Sequence, residues 1–530
     1  MRKRNRACEE CHRLKIKCDV ATLPGSACER CVRNDVECVP SAPRLQRDRI
    51  SQLEAQITEL KTALLNQSSD TTPSRSPGSL LQDKTPPILS FLDACIPIPQ
   101  QRLLLDCFKS QVSMVWPVVC LFTDLDQTRV ESPILLMSIL TYSCTHEMQG
   151  TELEVHDGLV RQMMRVLGDQ VISKGQRSLE LVQALLITAF WNKPTRKDQQ
   201  ASCYQVVQLA VDMAVDLGIA GSLWQPSPAA YFARLEDVTS LDARRTWLAC
   251  YVALSTSSID MRRPNTVPWD NHHEECLLCL EQAGEASDLL LCQIVRITQL
   301  MQEISSQLHL FHLATWVDGN DYKTHLTIES LKIRIDVWAA QIPHILATSP
   351  ILKVLRHAAM VRLYEVLLHT PTNRSSFAAP FIPGRIPVRD FPTPENMIPP
   401  LETALNALIS HCHVVVDTVT DMDPALVLAL PTFSFAPIVL YSLYILVTAL
   451  AASTGPRNTY GQCVTKDSFK IEHCAYKLRM LTSGMKLLDP TMSCWTTRFF
   501  DATGWLEKWY HDYNTIVQRY ETSLHVSSGD

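Results

Sequence analysis

Six cysteines between positions 8 and 38 limit this chain more than any other feature, because the spacing Cys-x2-Cys-x6-Cys occurs twice with nine residues between the copies. Each copy offers a close pair, Cys8 with Cys11 and Cys28 with Cys31, so one turn of backbone can present two thiolates to a single ion. A third thiolate follows seven positions after each pair, at Cys18 and Cys38. Tetrahedral zinc takes four ligands, and soft thiolates at this spacing suit it. Six thiolates fill two four-ligand sites only if two of them bridge, which predicts two zinc ions on six sulfurs. Such a cluster carries a net charge of about −2, which neighbouring Arg and Lys would offset.

Two other uses of clustered cysteines fit less well. A disulfide framework belongs to an oxidising compartment, yet the chain opens Met-Arg-Lys-Arg with no apolar leader. A redox Cys-x2-Cys comes singly at a strand-to-helix junction, without a repeat or third ligands. The remaining thirteen cysteines are scattered, as expected of free thiols acting as small apolar side chains. Charge adds the second half of the inference. The net charge of −6 hides twelve Arg and Lys against seven Asp and Glu in residues 1–49, a local +5 that leaves −11 for the rest. The basic end is the end suited to nucleic acid.

On these residues the segment Cys8–Cys38 resembles the DNA-binding domain of fungal binuclear zinc cluster transcription factors. The resemblance implies that the first and fourth cysteines, Cys8 and Cys28, bridge the metals. It also implies that Lys15, three residues before the third cysteine, donates to a guanine in the major groove of double-stranded DNA. Arg13 and Lys17 are then candidates for phosphate contact, with His12 standing where the family usually has Arg or Lys. Arg4 and Arg6 lie in a basic arm, residues 2–6, suited to nuclear import, to clamping phosphate, or to both. Pro24 falls in the central turn, as it often does in the family.

Further along, Val39-Pro40-Ser41-Ala42-Pro43 opens a linker, because two prolines fix extended backbone and remove donors. Ile50, Leu53, Ile57, Leu60 and Leu64 then recur at alternating steps of three and four, a heptad stripe with Ile at a and Leu at d in its first two heptads. This pattern predicts a short parallel coiled coil that pairs two copies of the chain, with Arg49 of one facing Glu54 of the other. Residues 67–87, polar and broken by Pro73 and Pro77, form a second linker. The expected organisation is a zinc cluster with its basic arm at 1–39, a linker at 40–49, a coil at 50–66, a linker at 67–87, and a helical domain at 88–525.

The large domain is predicted to be all-α. Sixteen glycines in 530 residues are few for a turn-rich β fold. Tyr204, Val207, Val211, Ala214 and Leu217 share one helical face, with Gly218 placed for a left-handed cap. Leu179–Trp191 repeats the logic with Pro194 beyond it, and Arg262-Arg263-Pro264 stops another helix. Val182–Leu186, Ala210–Gly218, Arg244-Arg245-Thr246-Trp247-Leu248 and Arg263-Pro264 resemble, in that order, the middle homology regulatory domain of the same fungal factors. That domain is helical and often regulatory, so a small-molecule effector becomes a possible partner.

Three features invite other readings. Phe435–Ala452 has no charge over eighteen residues, but it lacks flanking basic anchors and is expected to be a buried core helix, with no membrane partner. Cys276 and Cys279, near His272 and His273, are expected to be core packing, and His411 and His413 fall on different faces of one helix. No Gly-rich phosphate loop, Gly-x-Ser-x-Gly elbow or His-Glu-x-x-His pair is present. The sequence therefore predicts a nuclear, zinc-dependent homodimer and no enzyme. By resemblance it binds CGG-like half-sites and controls metabolic or secondary-metabolite genes transcribed by RNA polymerase II.

Overall fold

The computed structural model describes residues 8, 10, 11, 15, 18, 27–34, 36–38 and 87–527, apart from 144–152, 192–202, 229–236, 313, 395, 455–459 and 493. The chain divides into two compact units, Met1–Lys84 and Thr85–Asp530. Neither contains a strand among the described residues. Among its described residues the small unit holds one short helix, α1 (Glu29–Arg33), and a helical turn at Glu10–Cys11. Among the described residues its core is made of cysteine: Cys8, Cys11, Cys28 and Cys31 are buried, and Cys18 and Cys38 pack against them.

The larger unit is built from helices that pack largely in chain order. Those that frame its interior are α2 (Pro133–Tyr142), α3 (Leu179–Trp191), α4 (Cys203–Leu217), α5 (Leu241–Met261), α6 (Ala286–Gln307), α7 (Pro350–Tyr364), α8 (Pro399–Thr420), α9 (Ala436–Thr454), α10 (Ile471–Leu488), α11 (Trp495–Asp501) and α12 (Trp505–Ser527). Helix α3 packs on α2 and α4, α4 on α5, α5 on α6, α6 on α7, α7 on α8, and α8 on both α9 and α10.

Sequence chemistry accounts for these helices one by one. Helix α3 is apolar on every face from Leu181 onward and is buried on every face except at Gln183. Its Glu180 is used outside the helix: one carboxylate oxygen accepts from the Ile134 and Leu135 amides at 2.6 and 3.2 Å, satisfying orphan N–H groups at the start of α2. Helix α4 ends where Gly218 takes φ +83°, the left-handed geometry expected there. Helix α5 opens on Ser240, whose hydroxyl accepts from the Ala243 amide at 3.3 Å.

Helix α9 is the predicted charge-free segment. It is the one described helix long and apolar enough to cross a membrane, and 83% of its most apolar window is buried inside the protein. Its polar positions are neutralised locally, since Ser442 and Thr448 donate to the carbonyls of Ile438 and Tyr444 at 2.9 and 2.7 Å. At the C-terminal end α12 buries Leu506 and Tyr513, and Trp509 stacks on Tyr513. Ile516 of the same helix faces solvent. Cys276 is fully buried as packing, whereas Cys279 is only partly so. His411 pairs with His357 and His413 with the Ser468 carbonyl, so the two histidines are unrelated.

Candidate metal centre and DNA interface

The small unit repeats its local geometry as it repeats its sequence. The Cys8 amide donates to Cys18 Sγ at 3.4 Å, and the Cys28 amide donates to Cys38 Sγ at 3.3 Å. Each half therefore folds its third cysteine back onto its first. Cys28 is also the N-cap of α1, and its sulfur accepts from the Cys31 amide at 3.5 Å.

The two halves meet through their sulfurs. Cys8 Sγ lies 3.8 Å from Cys28 Sγ and 3.7 Å from Cys31 Sγ, and Cys11 Sγ lies 3.9 Å from Cys28 Sγ. Thiolates about 2.3 Å from one tetrahedral zinc stand about 3.8 Å apart, so the donor set has the dimensions zinc requires. Two quartets have all four sulfurs within 4.8 Å of one another: Cys8, Cys11, Cys18, Cys28 and Cys8, Cys28, Cys31, Cys38. Cys8 and Cys28 are the members common to both. The thiol chemistry follows the same division. The Cys31 amide holds Cys28 down to about 6, and the Cys11 amide lowers Cys8. Burial pushes Cys11 up to about 12, and hydrogen bonding with Cys28 raises Cys31. Cys18 and Cys38 also accept from backbone amides, but burial and the neighbouring sulfurs leave them raised, so the two shared sulfurs are the ones lowered overall.

Of the residues expected to touch DNA, Lys15 is exposed and takes φ 52°, a left-handed conformation uncommon for a side-chain-bearing residue. Arg4, Arg6, His12, Arg13 and Lys17 lie outside the described residues, as do Ile50, Leu53, Ile57, Leu60 and Leu64 of the expected coil. On α1, Arg30 and Arg33 are exposed. Sequence reasoning passed over both, because the basic run between Cys11 and Cys18 is denser.

Comparison with known proteins agrees with this geometry. Residues 6–48 match the fungal Zn(2)-Cys(6) binuclear cluster domain, and residues 121–313 match the fungal specific transcription factor domain. Both matched domains are those of fungal binuclear zinc cluster transcription factors. In this family the cysteine cluster is a zinc-binding, DNA-binding module, and the family members are not enzymes. Among similar proteins is transcription factor pbcR of Emericella nidulans, 26% identical over 390 residues, which are 63% of this chain and 52% of the relative. Transcription factor opdL of Penicillium oxalicum is 23% identical over 459 residues, 79% of this chain and 78% of the relative. The chain thus spans about half the length of the first of these relatives. No solved structure matches it.

The match over residues 121–313 also gives context to a motif first quoted as a resemblance. Within the Arg244–Leu248 stretch, Arg245 makes a two-pronged pair with the fully buried Asp288, Nε to Oδ1 at 2.6 Å and Nη2 to Oδ2 at 2.8 Å. The motif therefore ties α5 to α6, and its charge is spent inside the fold.

Proposed function

We propose that the chain is a nuclear, zinc-dependent, sequence-specific DNA-binding transcription factor that acts as a homodimer on pairs of CGG-like half-sites. In this reading Cys8, Cys11, Cys18, Cys28, Cys31 and Cys38 hold two zinc ions, with Cys8 and Cys28 bridging. The overlap of the two sulfur quartets on those residues is the observation that carries it. The metal supplies folding free energy to a unit whose core is otherwise cysteine. Lys15 reads a guanine, and Arg13, Lys17, His12 and the basic arm with Arg4 and Arg6 hold the phosphates. Ile50, Leu53, Ile57, Leu60 and Leu64 pair two copies, so that half-site spacing is set by the linker and coil. The helical domain receives a small-molecule effector, and the regulated genes are metabolic or secondary-metabolite genes transcribed by RNA polymerase II.

Native mass spectrometry of the zinc-loaded chain tests the shared-ligand arrangement. The expected mass corresponds to two zinc ions per chain. Cys28→Ser should disturb both ions, whereas Cys38→Ser should weaken one. Equal and independent loss from either substitution would contradict bridging by Cys28.

A further inference from the structure

The helical unit contains a cavity of about 460 Å3 walled by the end of α3, the start of α4, the end of α5, residues 379–382, residues 432–440 and α11. Its volume lies in the range of small-molecule sites. The lining is mostly apolar and strongly aromatic, with Phe190, Tyr204 and Phe381 on separate walls and Trp495 and Phe499 together on α11. Asp260, the penultimate residue of α5, is the one charged side chain among the lining residues.

That carboxylate is half used. Its Oδ1 accepts from Arg362 Nη2 at 2.6 Å, while Oδ2 has no hydrogen-bond partner among the described residues and the side chain keeps 16% of its surface accessible. Behind it lies a closed ionic cluster. Arg362 lies over the Tyr441 ring at 3.7 Å, Arg262 reaches Glu365 at 2.5 Å and the Tyr441 hydroxyl at 2.8 Å, and Tyr441 donates to Glu365. Arg262 and Arg362 thus face Asp260 and Glu365, the buried Arg374 acts on the same cluster, and His369 beside Glu365 is kept neutral by burial and by Arg262 and Arg374. Asp260 borders both the aromatic chamber and a smaller cavity beside Arg362 and Tyr441, and Oδ2 is its oxygen left for an occupant.

We propose that this cavity is an effector site for a neutral, largely apolar ring compound whose single hydroxyl or N–H group donates to Oδ2 of Asp260. Anionic ligands are disfavoured, because a second carboxylate would meet that oxygen in an apolar surround. The walls come from segments between Phe190 and Phe499, and the Asp260 carbonyl accepts from the Ala379 amide at 2.9 Å, tying the end of α5 to the 379–382 wall. An occupant therefore touches segments far apart in the chain and stabilises their common arrangement by mass action. The regulatory meaning of the site rests on the effector reading above. Its occupancy does not.

The test uses full-length, zinc-loaded protein and three probes of one size: 2-naphthol, 2-methoxynaphthalene and 2-naphthoate, followed by calorimetric titration and thermal shift. The site predicts binding of 2-naphthol, about tenfold weaker binding of the methyl ether that lacks the donor, and no shift with the carboxylate. Asp260→Asn should erase the preference for naphthol over its ether. Leu440→Trp, which fills the cavity from another wall, should abolish binding of both. Naphthoate binding as tightly as naphthol, no naphthol binding to the wild type, or wild-type binding by a folded Leu440→Trp chain would overturn the assignment. Should either variant fail to fold, the probe ranking on the wild type still decides. DNA binding by the same samples is scored separately, so the site and the DNA-binding reading can fail independently.

Discussion

Lys15 stands exposed on left-handed backbone between the second and third cysteines of the first half, and that conformation separates its side chain's role from its structural role. Lys15→Ala should cost about 1–3 kcal/mol on the cognate site and relax the preference at one base. Lys15→Gly suits a positive φ, so it should lose the same specificity while keeping the metal-bound fold. Lys17→Ala should weaken all sequences alike and lower the salt slope by about one. Competition gel shifts across a salt series measure all three, and unchanged specificity in both Lys15 variants would remove that lysine as the reader. At this scale the cysteines were the most legible residues, since their ligand chemistry lies in local spacing. Asp260, Arg262 and Glu365 were illegible for the opposite reason. Arg262 could be read as a helix stop, but its left-handed φ of 54° is held by Phe377, Glu365 and Tyr441, more than a hundred positions away.

Elements were legible where apolar period and end signals agreed. Helix α3 spans Leu179–Trp191 as expected, and Gly218 closes α4 with the predicted positive φ. The charge-free α9 turned out to be interior because its hydroxyls bond within the helix and its neighbours cover it. The π-helical turns at Phe108–Val112 and Gly168–Ser173 had no sequence signal that pattern reasoning uses. Ile516 shows the limit of the same reasoning, since an apolar stripe tells which face can be buried and the neighbouring elements decide how much of it is. The coil remains a proposal from its heptads, and its prediction belongs here. Two heptads are marginal alone, so one charge at a core position should suffice to separate the chains. Sedimentation equilibrium should show a dimer for the wild type and a monomer for Ile57→Asp, with affinity for paired half-sites reduced far more than affinity for one. A wild-type monomer, or a dimer unaffected by Ile57→Asp, would place dimerisation elsewhere.

For the whole molecule, buried histidines set a direction in pH. Burial first, and neighbouring positive charge second, lowers His357 to about 4 and holds His369 well below its ordinary value. Burial also lowers His411 to about 4, and its Nδ1 lies 2.8 Å from that of His357. Between about 6.5 and about 4 the unfolded chain binds protons that the folded chain refuses, so stability falls as pH falls through that window and is level above it. All ten tryptophans lie in the helical unit. Urea unfolding followed by their fluorescence should therefore show a midpoint that drops from about pH 7 to about pH 5, and a constant midpoint would contradict the assignment of neutral, buried histidines. Architecture at this scale was legible as a class, zinc cluster then helices. The cavity was not, because its walls are assembled from segments that no local pattern connects. The central claim, zinc-dependent reading of DNA sequence, is tested most directly by selecting bound sites from a random double-stranded pool with the zinc-loaded chain. The account predicts enrichment of paired CGG-like triplets at one spacing, lost on chelation. Recovery of DNA with the base frequencies of the starting pool would contradict it.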